Sequence, residues 1–414
     1  MGAYCIEGGI PLRGEVTVHG AKNSVLPILA GCILTGSSCE LYNCPRISDV
    51  DAALQILQQL GCKTEREGHT LRICTKEALS CPIPRSLTEK MRGAILFLGP
   101  LLARFGEAEL AYPGGCALGD RPIDLHLMGL RHMGVQCDCD EDRVSCKWEK
   151  PQGGVIALPY PSVGATENLL MAATACPEPV VLCNCAKEPE ILDLVKFLRA
   201  CGAEIEVRGS VIRVQGGKKL HSCTYRIMPD RMEAVGYLAA AAVTGGEVHL
   251  RSVCPKHLTA VLQIFGKMGC ELSYGRGDIR LRGRSLYAVS PIATAPYDGF
   301  PTDAQAPVMA VLACAQGVSV MEETVFSDRF LHVPALNAMG ARIRASRRYA
   351  VIQGVPRLHG ACVEATDLRG GAALVVAALG AEGCSRIEKT EHIERGYEDF
   401  AKNIRSLGGK LTME

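Results

Sequence analysis

The stretch Ser48-Asp49-Val50-Asp51-Ala52-Ala53-Leu54-Gln55-Ile56-Leu57-Gln58-Gln59-Leu60-Gly61 decides the fold. Val50, Ala53, Leu54 and Leu57 recur at the spacing of one helix face, so the stretch predicts an amphipathic helix, with Ser48 and Asp51 as its capping pair. Gly61 stands where a helix C-terminus wants a left-handed residue. The same ending returns at Met133-Gly134, Cys201-Gly202, Met268-Gly269, Met339-Gly340 and Leu407-Gly408, at intervals of about 70 residues. Several copies carry Pro near the helix start, at Pro122, Pro189 and Pro255. Upstream of each lies a second helix, apolar on nearly all faces and therefore buried, near 22–34, 90–105, 166–175, 231–243, 303–315 and 367–379. Strand-like runs flank these helices at 15–18, 39–43, 155–158, 180–184, 247–252 and 318–323. Each unit therefore reads strand, buried helix, strand, surface helix, strand, strand. Six such βαβαββ units predict an α/β protein of two domains, three repeats each, with helices inside and sheets outside. The break falls near residue 220.

The chain has 414 residues and a net charge of +1, so no bulk electrostatic case exists for nucleic acid or an anionic membrane. Apolar runs such as 237–243 and 372–379 are too short to span a bilayer. No basic-then-apolar leader opens the sequence, and a reducing cytoplasm is expected. The 21 cysteines include no Cys-x-x-Cys; Cys137/Cys139 and Cys183/Cys185 are the closest pairs, a poor spacing for zinc. Most, such as Cys32, Cys176 and Cys314, sit in apolar runs and read as small hydrophobes. No metal or organic cofactor is expected.

One cysteine differs. In Tyr112-Pro113-Gly114-Gly115-Cys116-Ala117-Leu118-Gly119-Asp120-Arg121-Pro122 a thiol sits in a glycine-rich loop with a cation five residues on. The loop reads either as a turn with an incidental Cys or as an activated thiol beside a helix start. Cations also stand at buried-helix starts: Lys22, Lys90 with Arg92, Arg231 and Arg369. The helix dipole disfavours a cation there, so either a nearby carboxylate compensates it or the helices converge on a polyanion. A neighbouring acid is at hand for Arg231 (Asp230) and Arg369 (Asp367), less so for Lys22 and Arg92. Arg121, Arg329 and Arg395 occupy one common place before the surface helices, which points to one end of each domain and a cleft between the two.

These residues resemble a known family. Ala21-Lys22-Asn23, Pro113-Gly114-Gly115-Cys116, Arg121-Pro122-Ile123-Asp124-Leu125-His126, Ser162-Val163-Gly164-Ala165-Thr166, Pro301-Thr302-Asp303, Arg329-Phe330-Leu331-His332-Val333-Pro334, Thr366-Asp367-Leu368-Arg369 and Arg395-Gly396-Tyr397 are similar to the UDP-N-acetylglucosamine 1-carboxyvinyltransferase (MurA) family of enolpyruvyl transferases. The resemblance implies two inside-out α/β barrel domains with the active site in the cleft between them: 22–228, carrying the Cys116 loop, and 1–21 plus 229–414, because the N-terminal strand crosses over. It implies transfer of enolpyruvyl from phosphoenolpyruvate to the 3′-hydroxyl of UDP-N-acetylglucosamine, with release of phosphate, as the first committed step of peptidoglycan synthesis. Cys116 is implied as the acid, Asp303 as the base, and Lys22 and Arg395 as further catalytic groups. Lys22, Arg121 and Arg395 would hold the phosphate of phosphoenolpyruvate and Arg329 and Arg369 its carboxylate, with Asn23 as a further phosphoenolpyruvate-binding residue. Asn23, Arg92, Arg121, Pro122, Ile123, Asp124, Leu125, Ser162, Val163, Gly164, Asp303 and Val325 match positions that bind the UDP-sugar. Two other readings are a transferase acting on shikimate 3-phosphate, which lacks such a cysteine loop, and a non-catalytic repeat scaffold.

Overall fold

The structure, a computed structural model, describes residues 2–112 and 123–414. The chain divides into two compact units, one from Gly20 to Met228 and one made of the segment up to His19 together with Pro229–Glu414. Each has its own apolar core.

In the Gly20–Met228 unit the helices Lys22–Gly31, Leu98–Phe105 and Val163–Ala173 lie inside, most of their residues buried. They approach closely through small residues. A Cβ on Gly99 would stand 2.4 Å from the Asn168 carbonyl oxygen, so only glycine fits that crossing. Three sheets surround the helices. Strands 63–67, 70–74 and 38–42 join 224–226; 136–139 and 143–147 join 107–111; 204–208, 211–215 and 180–183 join 154–157. Their residues alternate buried and exposed, as in Thr70–Cys74, where Leu71 and Ile73 point to the core. The helices Ser48–Gln59, Asp124–His132 and Pro189–Ala200 run outside, each followed by a left-handed glycine: Gly61, Gly134 and Gly202, at φ 81°, 90° and 98°.

The other unit repeats the plan. Its buried helices are Arg231–Val243, Thr302–Leu312 and Leu368–Gly380. Its outer helices Thr259–Lys267, Val333–Ala338 and Phe400–Ser406 end before Gly269, Gly340 and Gly408, again at positive φ. The N-terminal segment completes two of its sheets: Ala3–Glu7 pairs antiparallel with Cys384–Glu388 and Lys410–Met413, and Arg13–Thr17 pairs parallel with Glu247–Arg251. Thr224–Arg226 in turn pairs parallel with Ser38–Tyr42.

Three local readings are corrected. Ser48 is the first residue inside its helix rather than a cap; the N-cap is Ile47, with no side-chain bond, and Asp49 and Asp51 face the helix dipole instead. The second buried helix does not run from Lys90. Pro100 has no N–H to continue the ladder, so Arg92–Phe97 winds as a 3-10 turn and the α-helix begins at Leu98. The third begins at Val163, because Ser162 is the cap and accepts from Ala165 N at 3.3 Å. Among the described residues no helix is long and apolar enough to cross a membrane.

Candidate active site

In the C-terminal unit, Asp303, Arg329 and Arg369 meet. Asp303 lies in the first turn of Thr302–Leu312. Its Oδ1 accepts from Arg329 Nη2 at 2.6 Å and its Oδ2 from Arg369 Nη2 at 3.0 Å. The arginine side chains are only 3% and 4% exposed, against 28% for Asp303. Burial opposes the charge of Arg369, but the Asp303 carboxylate and its neighbours outweigh this and hold the guanidinium firmly protonated. Asp367 does not pair with the Arg369 side chain; it caps the helix, accepting from Arg369 N at 3.0 Å and Gly370 N at 3.1 Å. Asp230 likewise caps Arg231–Val243 through Met232 N and Glu233 N, while the Arg231 guanidinium lies 5.5 Å over the Tyr297 ring. Among the described residues, Arg329 Nε and Arg369 Nη1 are buried without a hydrogen-bond partner. Buried guanidinium donors left open in this way are a ready site for a carboxylate.

Glu323, fully buried, holds this group in place. Its Oε1 accepts from Thr294 Oγ1 and Val325 N, both at 2.9 Å, and from Phe326 N at 3.1 Å; its Oε2 accepts from Thr302 Oγ1 at 2.9 Å. One carboxylate thereby ties the start of the Asp303 helix to the loop that carries Val325 and Arg329. Arg395 is half-buried and follows the short helix Glu391–Glu394.

In the Gly20–Met228 unit, Lys22 opens its helix, and its Nζ lies 2.6 Å from Asp49 Oδ2, with side-chain exposures of 13% and 5%. A compensating carboxylate therefore does exist, supplied by the first turn of the neighbouring helix Ser48–Gln59. Asn23 is exposed beside it. Pro27 in this helix and Pro307 in Thr302–Leu312 lack the N–H that would take the carbonyls of Asn23 and Asp303. Lys90 is not at a helix start and reaches Gln55 Oε1 at 3.0 Å. Arg92 is half-buried and close enough to His126 for its charge to be felt there. His126 Nδ1 lies 2.8 Å from Asn168 Nδ2, which also donates to the Ile95 carbonyl at 2.7 Å; Nδ1 is thus the acceptor and Nε2 carries the proton. Gly164 lies against the His126 ring. Ser162 and Val163 are half-buried next to it, Ile123 is buried, Leu125 half-buried and Asp124 exposed at the start of its helix. Cys116, Arg121 and Pro122 lie outside the described residues.

Sequence reasoning missed Asp49, Glu323, Asn168 and the two histidines as working parts. The spacing Lys22-to-Pro27 and Thr302-to-Pro307, a proline five residues into two buried helices, was a usable signal for both helix starts.

His126 and His332 carry a pH dependence. Burial pushes His332 down to about 4, with Asp367 opposing and Arg329 assisting; burial and then Arg92 do the same to His126, also to about 4. A free imidazole titrates near about 6.5. Each histidine therefore contributes stability that is present above pH about 6.5 and is lost as pH falls towards about 4, because the unfolded chain takes up the proton first. For His332 the loss between pH 7 and pH 5 is about 2 kcal/mol. Urea unfolding of wild type and His332→Gln at the two pH values checks this: the variant should lose less stability on acidification, and an equal loss in both counts against a buried neutral imidazole.

Residues 6–404 match the EPSP synthase (3-phosphoshikimate 1-carboxyvinyltransferase) family. A UDP-N-acetylglucosamine 1-carboxyvinyltransferase 2 of Caldanaerobacter subterraneus subsp. tengcongensis is 45% identical over 414 residues, which cover 100% of this chain and 99% of the relative. A UDP-N-acetylglucosamine 1-carboxyvinyltransferase of Synechocystis sp. is 45% identical over 413 residues, 98% of this chain and 94% of the relative. Among solved structures, the enolpyruvyl transferase NikO from Streptomyces tendae superposes with a TM-score of 0.89 at 23% identity, covering 100% of this chain and 98% of its own. EPSP synthase from Acinetobacter baumannii gives 0.79 at 22%, with 100% of both chains covered. These two likenesses show the shared fold.

Proposed function

The chain belongs to the EPSP synthase family, and we propose that it transfers the enolpyruvyl group of phosphoenolpyruvate to the 3′-hydroxyl of UDP-N-acetylglucosamine, releasing phosphate, in peptidoglycan synthesis. The observation that carries the choice of acceptor is identity of about 45% along the whole chain to transferases named for that sugar nucleotide. The cysteine-bearing sequence Pro113–Arg121 supports it. Both substrates are phosphorylated metabolites, and this reading places the chain in the cytoplasm.

The reaction is addition then elimination. The sugar hydroxyl oxygen bonds to C2 of phosphoenolpyruvate while C3 gains a proton; a C3 proton and phosphate then leave and the vinyl group re-forms. In this reading Cys116 supplies the proton to C3 and Asp303 takes the hydroxyl proton. Lys22, Arg121 and Arg395 hold the phosphate, Arg329 and Arg369 hold the carboxylate, and Asn23 is a further contact to phosphoenolpyruvate. Asn23, Arg92, Arg121 to Leu125, Ser162 to Gly164, Asp303 and Val325 seat the UDP-sugar. The ion pairs at Asp303 give the order of events. A carboxylate whose two oxygens are each held by a guanidinium is a poorer acceptor of a hydroxyl proton than a free one. A substrate carboxylate that takes over the two guanidinium groups, including the open Arg329 Nε and Arg369 Nη1, frees Asp303 to act.

Purified protein should release phosphate only when phosphoenolpyruvate and UDP-N-acetylglucosamine are both present. A coupled phosphate assay decides this; turnover with shikimate 3-phosphate as acceptor, or none with either, would sink the assignment.

A further inference from the structure

Three cysteines remote from one another in sequence converge in the Gly20–Met228 unit. Cys39 lies in strand Ser38–Tyr42, Cys201 ends the helix Pro189–Ala200, and Cys223 directly precedes strand Thr224–Arg226. Their Sγ atoms all lie within 4.8 Å of one another, and those of Cys201 and Cys223 are 3.4 Å apart. All three are free thiols; Cys39 and Cys201 are buried and Cys223 is half-buried. Backbone bonds fix their positions. Glu40 N donates to the Cys223 carbonyl at 3.1 Å, and Cys201 N donates to Phe197 O at 3.0 Å. None of the three belongs to the machinery proposed above.

We propose that Cys39, Cys201 and Cys223 form a binding site for a Zn²⁺ ion. The argument is one of size, softness and charge. A tetrahedral zinc with Zn–S bonds of about 2.3 Å places its sulfurs about 3.8 Å apart, close to the 3.4 Å between Cys201 and Cys223 and inside the 4.8 Å within which all three sulfurs lie. Sulfur-only ligation selects thiophilic d¹⁰ ions. Three thiolates around a dication leave one net negative charge in a largely buried pocket, whereas a monocation would leave two, at greater desolvation cost. Binding releases three thiol protons. Cys223 is the least buried of the three, so water reaching it would complete the tetrahedron. An ion there joins a helix end to the two strands 38–42 and 224–226, and so fastens the outermost strand of that sheet.

The test uses the full chain, reduced and then dialysed against Zn²⁺, with metal counted by mass spectrometry and Co²⁺ substituted as a spectroscopic probe. Wild type should hold zinc through this site, show thiolate-to-cobalt charge-transfer absorption, and melt higher with zinc. Cys223→Ser, at the least buried of the three, should lose one equivalent of zinc, the charge-transfer band and the thermal shift, while Cys139→Ser, exposed and outside the cluster, keeps them all. Cys39→Ser should repeat the loss, with circular dichroism as the check that it folds. Equal zinc content in wild type and Cys223→Ser, or cobalt bound without the charge-transfer band, overturns the site. Phosphate-release activity is measured separately, so failure here leaves the catalytic reading untouched.

Discussion

Replacing Asp303 by Ala is expected to cut the rate of phosphate release by about 100- to 10,000-fold, the usual worth of a positioned general base. The same substitution should enlarge the thermal stabilisation given by phosphoenolpyruvate alone. The second effect follows from the geometry. Arg329 and Arg369 are almost fully buried, and Asp303 supplies a carboxylate oxygen to each, at 2.6 and 3.0 Å. Removing that carboxylate leaves two buried cations side by side, a change that costs about 3–5 kcal/mol when one partner of a buried pair is lost. An anion seated on the two guanidinium groups restores the balance, so ligand binding and folding become more strongly linked in the variant. Asp303→Asn makes a finer test. Its amide oxygen can serve one arginine, but its NH₂ faces the other as a second donor, so it should fall between wild type and Asp303→Ala in melting temperature and match Asp303→Ala in rate. Melting curves with and without phosphoenolpyruvate, together with the phosphate assay, check both arms. A variant within about tenfold of wild-type rate would remove Asp303 from the role of base. A stabilisation by phosphoenolpyruvate no larger than in wild type would mean that the arginines do not receive its carboxylate.

How much of this was legible beforehand differs between fold and site. The six helix-ending glycines could be read because a left-handed C-cap is a local requirement, visible in a single residue and its neighbours. The buried helices could be read because apolarity on all faces has one explanation in a chain without bilayer-length runs. Ser48 misled because a serine before an acidic turn looks like a cap, while the extended residue that serves as the cap is Ile47 and the helix starts one residue earlier than the serine suggests. Pro100 was a visible signal for the 3-10 turn before Leu98, but it was overridden by the apolar periodicity on either side.

The site was legible in its charges and not in its pairings. Cations at helix starts stand out against the dipole, so Lys22 and Arg369 drew notice. Their partners did not, because each comes from a different element: Asp49 from the next helix, Asp303 from a helix more than sixty residues away. Asp367 was the obvious neighbour for Arg369 and proved to be spent on the helix cap. Glu323 sits at the end of a strand and looks like a surface charge; only the fold shows it buried and accepting four hydrogen bonds. The cysteine cluster escaped for the same reason. Metal-site spacings are local, and Cys39, Cys201 and Cys223 are brought together by strand pairing and a helix end.

Lys22→Ala is expected to lower kcat/KM for phosphoenolpyruvate by about 100- to 1000-fold, the effect of removing one fixed donor from developing charge. Asp49 governs how that lysine is held. Lys22 stands at the first position of a helix whose first turn contains no acid and whose N-cap makes no side-chain bond, so the local field repels its ammonium. The Asp49 carboxylate, at 2.6 Å and nearly buried, offsets that repulsion and fixes the direction of Nζ. Asp49→Asn keeps the shape and an acceptor oxygen but removes the charge. The lysine is then less firmly placed, and kcat should fall by about tenfold, while KM for phosphoenolpyruvate changes little because the cation itself remains. The decisive measurement is the double variant. If Asp49 acts through Lys22, adding Asp49→Asn to Lys22→Ala should cost nothing further in kcat/KM, and should recover stability by removing a carboxylate that Lys22→Ala leaves buried without its lysine. Additive losses in rate would show that Asp49 supports the fold generally rather than the lysine, and would move the anion-holding role away from this helix start.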